Sequence, residues 1–237
     1  SATFATAVDT PGYESVATVS FTTAGRVEVG GKVVLVMPDE SGTQHTWRFT
    51  DGASPSEETS GTVKAPTITF TTPSSSAPTA VSVGYTLSTR TLVLTVGAND
   101  LAQSASYVFT ITNALTPSSV VGVNNVEATT RDSQDKNVDT TSSMATDQIV
   151  SGALTSATFA TAVDTPGYAS VATVSFTTAG RVEVGGKVVL VMPDESGAQY
   201  GWRFTDGASS STETSGTSNA PTITFTAPSS SAPTAVS

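Results

Sequence analysis

Cysteine is absent from this chain, and histidine occurs once, at position 45. Without cysteine there is no disulfide and no thiolate zinc site, and the redox compartment stays open. Basic residues are scarce. Ten Lys plus Arg against twenty Asp plus Glu leave a net charge of −10, which disfavours nucleic acid or an anionic membrane surface as partner. No apolar run approaches the roughly 18 residues that span a bilayer. No Asn-x-Ser/Thr sequence occurs, so N-glycans are excluded within it. No secretory signal is visible, and a stretch cut from a longer array would not carry one. Charged residues reach only 13%, yet 37% of the chain is hydrophobic, enough apolar surface to offset chain entropy.

What is present is a long internal repeat. Residues 156–237 repeat residues 1–82 at a constant offset of 155, with nine substitutions in 82 paired positions. A period of this length is that of one or two whole domains, not of a solenoid turn. Seven of the nine differences fall in 43–46 and 55–64, which are rich in Ser, Gly, Glu and Thr. Such stretches read as exposed loops, where substitution costs least. The remaining two are Glu14 to Ala169 and Thr72 to Ala227. His45 becomes Tyr200, a change that no catalytic or metal-binding histidine would survive, so general-base chemistry of the Ser–His–Asp kind is excluded.

Apolar and polar residues alternate with a period of two. Ala17, Val19 and Phe21 alternate with Thr and Ser, as do Ile68 and Phe70; Val81, Val83, Tyr85 and Leu87; Leu92, Leu94 and Val96; and Tyr107, Phe109 and Ile111. Each pattern gives a strand one buried and one wet face. Lys32–Met37 is denser, with Val33, Leu35 and Met37 on one face and Val34 and Val36 on the other, which predicts a central strand covered on both sides. Val126, Ala128 and Thr130 mark a later strand. Turn signals at Thr10-Pro11-Gly12, Gly30-Gly31, Pro38–Gly42, Asp51-Gly52, Ser88–Arg90, Gly97–Asp100 and Asp132–Asn137 separate these runs. Thr140–Leu154 is the one stretch where a turn of helix is expected. The class is all-β, with tandem immunoglobulin-like β-sandwiches. The boundaries follow the repeat: 1–82 as sandwich A, 83–155 as sandwich B and 156–237 as a second copy of A. The alternative is one large sandwich over 14–163 flanked by partial neighbours. Ser237 corresponds to Ser82, inside an expected strand, so the chain is expected to be a stretch of a longer polypeptide.

Several motifs bear on chemistry. Gly25–Lys32 lacks the spacing of a phosphate loop and reads as a strand–turn–strand junction. Asp132, Asp135, Asn137 and Asp139 gather oxygen ligands in one short segment and are the candidate calcium site, against a plain hairpin turn. No other cofactor is expected. Trp47 and Phe49 bracket Arg48 and share a strand face, which favours core packing over a sugar-binding platform. Lys32 or Lys136 could enter an internal isopeptide bond, but no buried acid for that reaction is identifiable. Ser74, Ser75, Ser76 and Thr79 lie in a Ser/Thr/Pro segment that recurs as Pro228–Ala235 and are candidate O-glycosylation sites, against an ordinary polar connector.

The segment Ala17-Thr18-Val19-Ser20-Phe21-Thr22-Thr23-Ala24-Gly25, followed by Gly30-Gly31-Lys32-Val33-Val34-Leu35-Val36-Met37-Pro38, resembles repeats of very long extracellular proteins of algae and other protists. More loosely it resembles the immunoglobulin-like arrays of bacterial surface proteins. The resemblance implies a cell-surface or extracellular location, a filament or stalk role and no catalytic residues. The expectation is a non-enzymatic shaft whose partners are neighbouring repeats of the same protein, as homopolymer or filament subunits. The alternative is an adhesive module that recognises glycans or another cell through loops 43–46 and 55–64.

Overall fold

Threonine and valine crowd the strands because β-branched side chains suit a pleated, half-buried surface. The computed structural model describes residues 2–40, 45–51, 63–74, 77–193, 201–204 and 221–226. They fall in two compact units, Ser1–Gly186 and Lys187–Ser237. The described residues of the second unit carry no regular element. The strands of the first unit are β1 (Ala2–Thr6), β2 (Glu14–Thr22), β3 (Lys32–Val36), β4 (Arg48–Phe49), β5 (Val63–Lys64), β6 (Ile68–Thr72) and β7 (Thr79–Thr86). They continue with β8 (Thr91–Ala98), β9 (Ser106–Leu115), β10 (Asn125–Arg131), β11 (Asn137–Ala145), β12 (Thr155–Thr161) and β13 (Ala172–Thr177). A 3-10 turn at Leu87–Thr89 is the one helical element among the described residues. It ends on Arg90 with φ 54°, where the expected tight turn falls.

The protein is all-β, a sandwich. One layer runs β1–β2–β9, with β4 and β6 sharing the far edge of β9; the other runs β11–β10–β3–β8–β7–β5. The two join through β1, which lies antiparallel to β2 over five residue pairs and parallel to β11 at Thr3 and Ala145. β2 pairs antiparallel with β9 in the first layer, and β3 pairs antiparallel with β10 in the second. Strands from 1–82 and from 83–155 therefore alternate: β2 lies against β9, and β3 lies between β8 and β10. Position 82/83 falls inside β7.

The inward faces form one core. Val19 and Phe109 of the first layer and Leu35, Leu94 and Tyr85 of the second belong to it. Aromatic rings cross the gap between layers, Phe49 meeting Tyr85 edge-on at 5.1 Å, and the Tyr85 hydroxyl donates to the Trp47 carbonyl at 2.7 Å. Such edge-to-face pairs add roughly 0.5–1.5 kcal/mol beyond area burial. In β3, Val33, Val34 and Leu35 are all buried, as a central strand requires.

Two expectations change. Thr140–Leu154 holds no helix: its first six residues belong to β11, and Ile149 bridges Val121. The β-branched Thr run and the available edge of β10 outweigh the weak helical tendency. Val81 does not share the inward face of Val83 and Tyr85. The register of β7 on β8 shifts on both sides of Ala80, and the extra residue turns Val81 outward.

The second copy repeats the local structure of the first. In β12 and β13, Phe159 pairs with Val174 and Thr161 with Ala172, the register of Phe4 with Val19 and Thr6 with Ala17. The surroundings differ. Val19 is fully buried between β1 and β9, whereas Val174 is 36% exposed.

Candidate functional site at the joint between the copies

The loop from β1 to β2 is fixed by hydrogen bonds before it meets anything else. Thr6 Oγ1 donates to Asp9 Oδ1 at 2.7 Å, and the Thr6 amide donates to Asp147 Oδ2 at 2.8 Å. Gly12 donates to the Pro117 carbonyl at 2.8 Å, and the Tyr13 amide donates to Thr116 Oγ1 at 2.9 Å. Gly12 has φ +63°, the left-handed region that favours glycine.

Onto this loop packs the turn that follows β13. The Arg181 amide donates to the Gly12 carbonyl at 3.2 Å. A Cβ on Gly180 would lie 1.9 Å from the Pro11 oxygen, one on Gly12 would lie 2.7 Å from the Arg181 oxygen, and one on Gly152 would lie 2.3 Å from Ala179 Cβ. Gly12 and Gly180 therefore allow backbone to meet backbone, and Gly152 makes room for the Ala179 methyl. The turn is the second copy of residues 24–28.

Beside this contact, Glu183 is enclosed by two arginines and a histidine. Its carboxylate lies 3.2 Å from Arg48 Nη2, 3.3 Å from Arg181 Nη2 and 3.6 Å from His45 Nε2. The side chains of Arg48 and Glu183 are only 4% and 7% exposed. Burying either charge alone would cost several kcal/mol, so each needs the other in place. β4 presents Arg48 here by pairing it with Leu115 while Trp47 and Phe49 enter the core. Burial and the neighbouring Arg48 charge hold the His45 imidazole below its ordinary range, with Glu183 opposing. In the first copy the counterpart of Glu183 is Glu28, and it is exposed.

The expected calcium ligands are not drawn around one point. Asp132 Oδ1 accepts the amides of Gln134 and Lys136 at 2.9 and 2.8 Å, closing its own hairpin turn. Asp135 pairs with Lys32 at 2.6 Å, which holds its carboxyl below the usual carboxylate range. Asp139 accepts from the Gly25 amide at 3.0 Å and from Thr130 Oγ1 at 3.1 Å. Asn137 opens β11 opposite Arg131. Among the described residues no group of three or more His, Asp or Glu side chains could hold a metal ion. Lys32 and Asp135 form a partly exposed ion pair rather than a buried isopeptide site.

Ser74 and Thr79 are exposed, and Ser75 and Ser76 lie outside the described residues. Loop 43–46 is described only at His45 and Thr46, and 55–64 only at Val63 and Lys64. Sequence reasoning missed Arg48, Arg181 and Glu183. A cation between two core aromatics reads as the outward residue of a strand, and nothing local distinguishes Glu183 from Glu28. Among the described residues no helix is long and apolar enough to cross a membrane. A scan against protein-family models, a search of curated proteins and a search of solved structures each returned no match.

Proposed function

We propose that this chain is a non-enzymatic structural repeat that builds the shaft of an extracellular filament, appendage or surface stalk. The observation that carries the reading is the buried pairing of Glu183 in one copy with Arg48 in the other. The two halves of that contact come from different surfaces of the repeat: the Gly12 loop with Arg48 on one side, and the turn at 24–28 or 179–183 on the other. A joint between two unlike surfaces of the same unit can be repeated without closing, and repetition yields a linear stack. Burial of the ion pair fixes direction as well as proximity, because the pair loses its compensation when either partner turns away.

The partners in this reading are neighbouring repeats. Exposed Ser74 and Thr79 suit O-linked sugars, which would keep Thr-rich strands from pairing sideways. An extracellular setting and the absence of a resident cofactor belong to the same proposal.

The test is a polypeptide of four 155-residue copies viewed by rotary-shadowed electron microscopy. Straight rods are expected, and they should become jointed when the glutamate equivalent to Glu183 is replaced by lysine in every copy. Beads at random angles in the unsubstituted array would overturn the reading. So would saturable binding of one repeat to a glycan array.

A further inference from the structure

The two copies are nearly identical in sequence, yet their apolar residues differ in burial. Trp47 and Phe49 are fully buried, whereas their counterparts Trp202 and Phe204 are 46% and 37% exposed. The difference is therefore not in the copies. It lies in the strands that cover the first one: β8, β9, β10, β11 and the second half of β7, which occur once in the chain.

We propose that the strands of residues 79–155 are a shared receptor that either flanking copy can complete, so that residues 156–228 of the same molecule can replace residues 1–73. Four observations carry this. The nine differences between copies leave every inward core position unchanged, including the counterparts of Phe4, Val19, Leu35 and Trp47. The β12–β13 pair already has the register that β1 and β2 use in the core. Its capping bonds are present as well: Thr161 Oγ1 donates to Asp164 as Thr6 does to Asp9, and Ala162 donates to Val171 as Ala7 does to Val16.

The fourth is reach. β1 lies parallel to β11, and a parallel neighbour needs a crossover of about a dozen residues or more. Twelve residues, 146–157, separate Ala145 from Thr158, the counterpart of its partner Thr3. Val150 is tied to the Asp9 carbonyl at 2.9 Å. The seven steps from Val150 to Ala157 equal the seven from Asp9 back to Ala2, about 23 Å in extended chain. The connector therefore just spans the return to the head of β1. The exchange also cuts the fold in the connector between β6 and β7, at a Ser/Pro-rich loop where new termini are best tolerated.

The experiment uses the whole chain and hydrogen exchange read by mass spectrometry, in which Glu14 and Ala169 tell the two copies apart. Val19→Asp places a carboxylate in the core of the first copy only. The expected result is that 79–155 stays protected, that exchange of 169–177 slows by about tenfold or more, and that 14–22 loses its protection. The protein should remain monomeric. Val174→Asp alone should resemble the unsubstituted chain, and the double variant Val19→Asp with Val174→Asp should unfold. The proposal is overturned if Val19→Asp alone exposes 79–155 as the double variant does. It is also overturned if protection stays with 14–22, or if the folded species is an oligomer.

Discussion

Arg48 and Glu183 stand 135 residues apart in the chain and 3.2 Å apart in space, each almost wholly withdrawn from water. Neither belongs to the sandwich core. Arg48 leaves β4 on the face opposite Trp47 and Phe49, and Glu183 arrives from the turn after β13. Their pairing joins the second copy to the first by chemistry that fails if one partner is removed.

Glu183→Ala should release the joint. It leaves Arg48 buried without a counter-charge, a loss of about 3–5 kcal/mol in a site of this kind. Native-state exchange of the Arg181 amide, which donates to Gly12, is the readout. The paired change Arg48→Met with Glu183→Leu should recover most of the loss, since apolar replacement of a whole buried pair is often neutral. Failure of that recovery would mean that shape, not charge, holds the contact.

Gly180→Ala should loosen the same joint for a steric reason. The added methyl would meet the Pro11 carbonyl at 1.9 Å, so backbone must shift, at about 1–3 kcal/mol for an overpacked contact. Gly122→Ala, with nothing within 4 Å of the new Cβ, serves as the neutral control in the same exchange measurement.

The joint should weaken in mild acid through His45. Its folded-state pKa lies below the ordinary 6.5 because burial and Arg48 disfavour the cation. As pH falls through that value the unfolded chain takes up the proton first, so the unfolded state gains. The stabilisation is fully present above about 6.5 and is lost as pH falls towards the folded-state pKa. Melting curves from pH 7.5 downward should show this slope, and His45→Tyr, the residue of the second copy, should flatten it.

Leu94→Ala and Leu190→Ala should differ sharply although both remove the same atoms. Leu94 is fully buried and Leu190 is 49% exposed. The first should cost about 2–5 kcal/mol in denaturant unfolding. The second should stay within about 0.5 kcal/mol.

Calcium should leave the melting midpoint where a chelator leaves it. Asp132, Asp135 and Asp139 already serve a turn, a lysine and a backbone amide, and a cation would have to break all three arrangements to gather its six to eight oxygens. A midpoint rising with calcium would restore the hairpin as a metal site.

Strands, turns and the double cover of β3 were legible in the residues because each follows from side-chain period over a few positions. The outward turn of Val81 was not, since its bulge depends on how β7 lies against β8, where a Cβ on Gly97 would reach within 2.1 Å of Val81 Cγ1. The charged cluster was not legible either. Arg48, Arg181 and Glu183 come from segments whose meeting depends on how a whole copy folds back, and sequence spacing carries no record of that.

The residues alone determined that the chain is a β protein, that it repeats with a period of 155, and which face of most strands is apolar. Only the tertiary structure decided which copy of an identical segment is buried. Val19 and Val174 have the same neighbours in sequence and opposite fates in space. Burial belongs to a side chain together with whatever covers it, and β9, which covers Val19, occurs once.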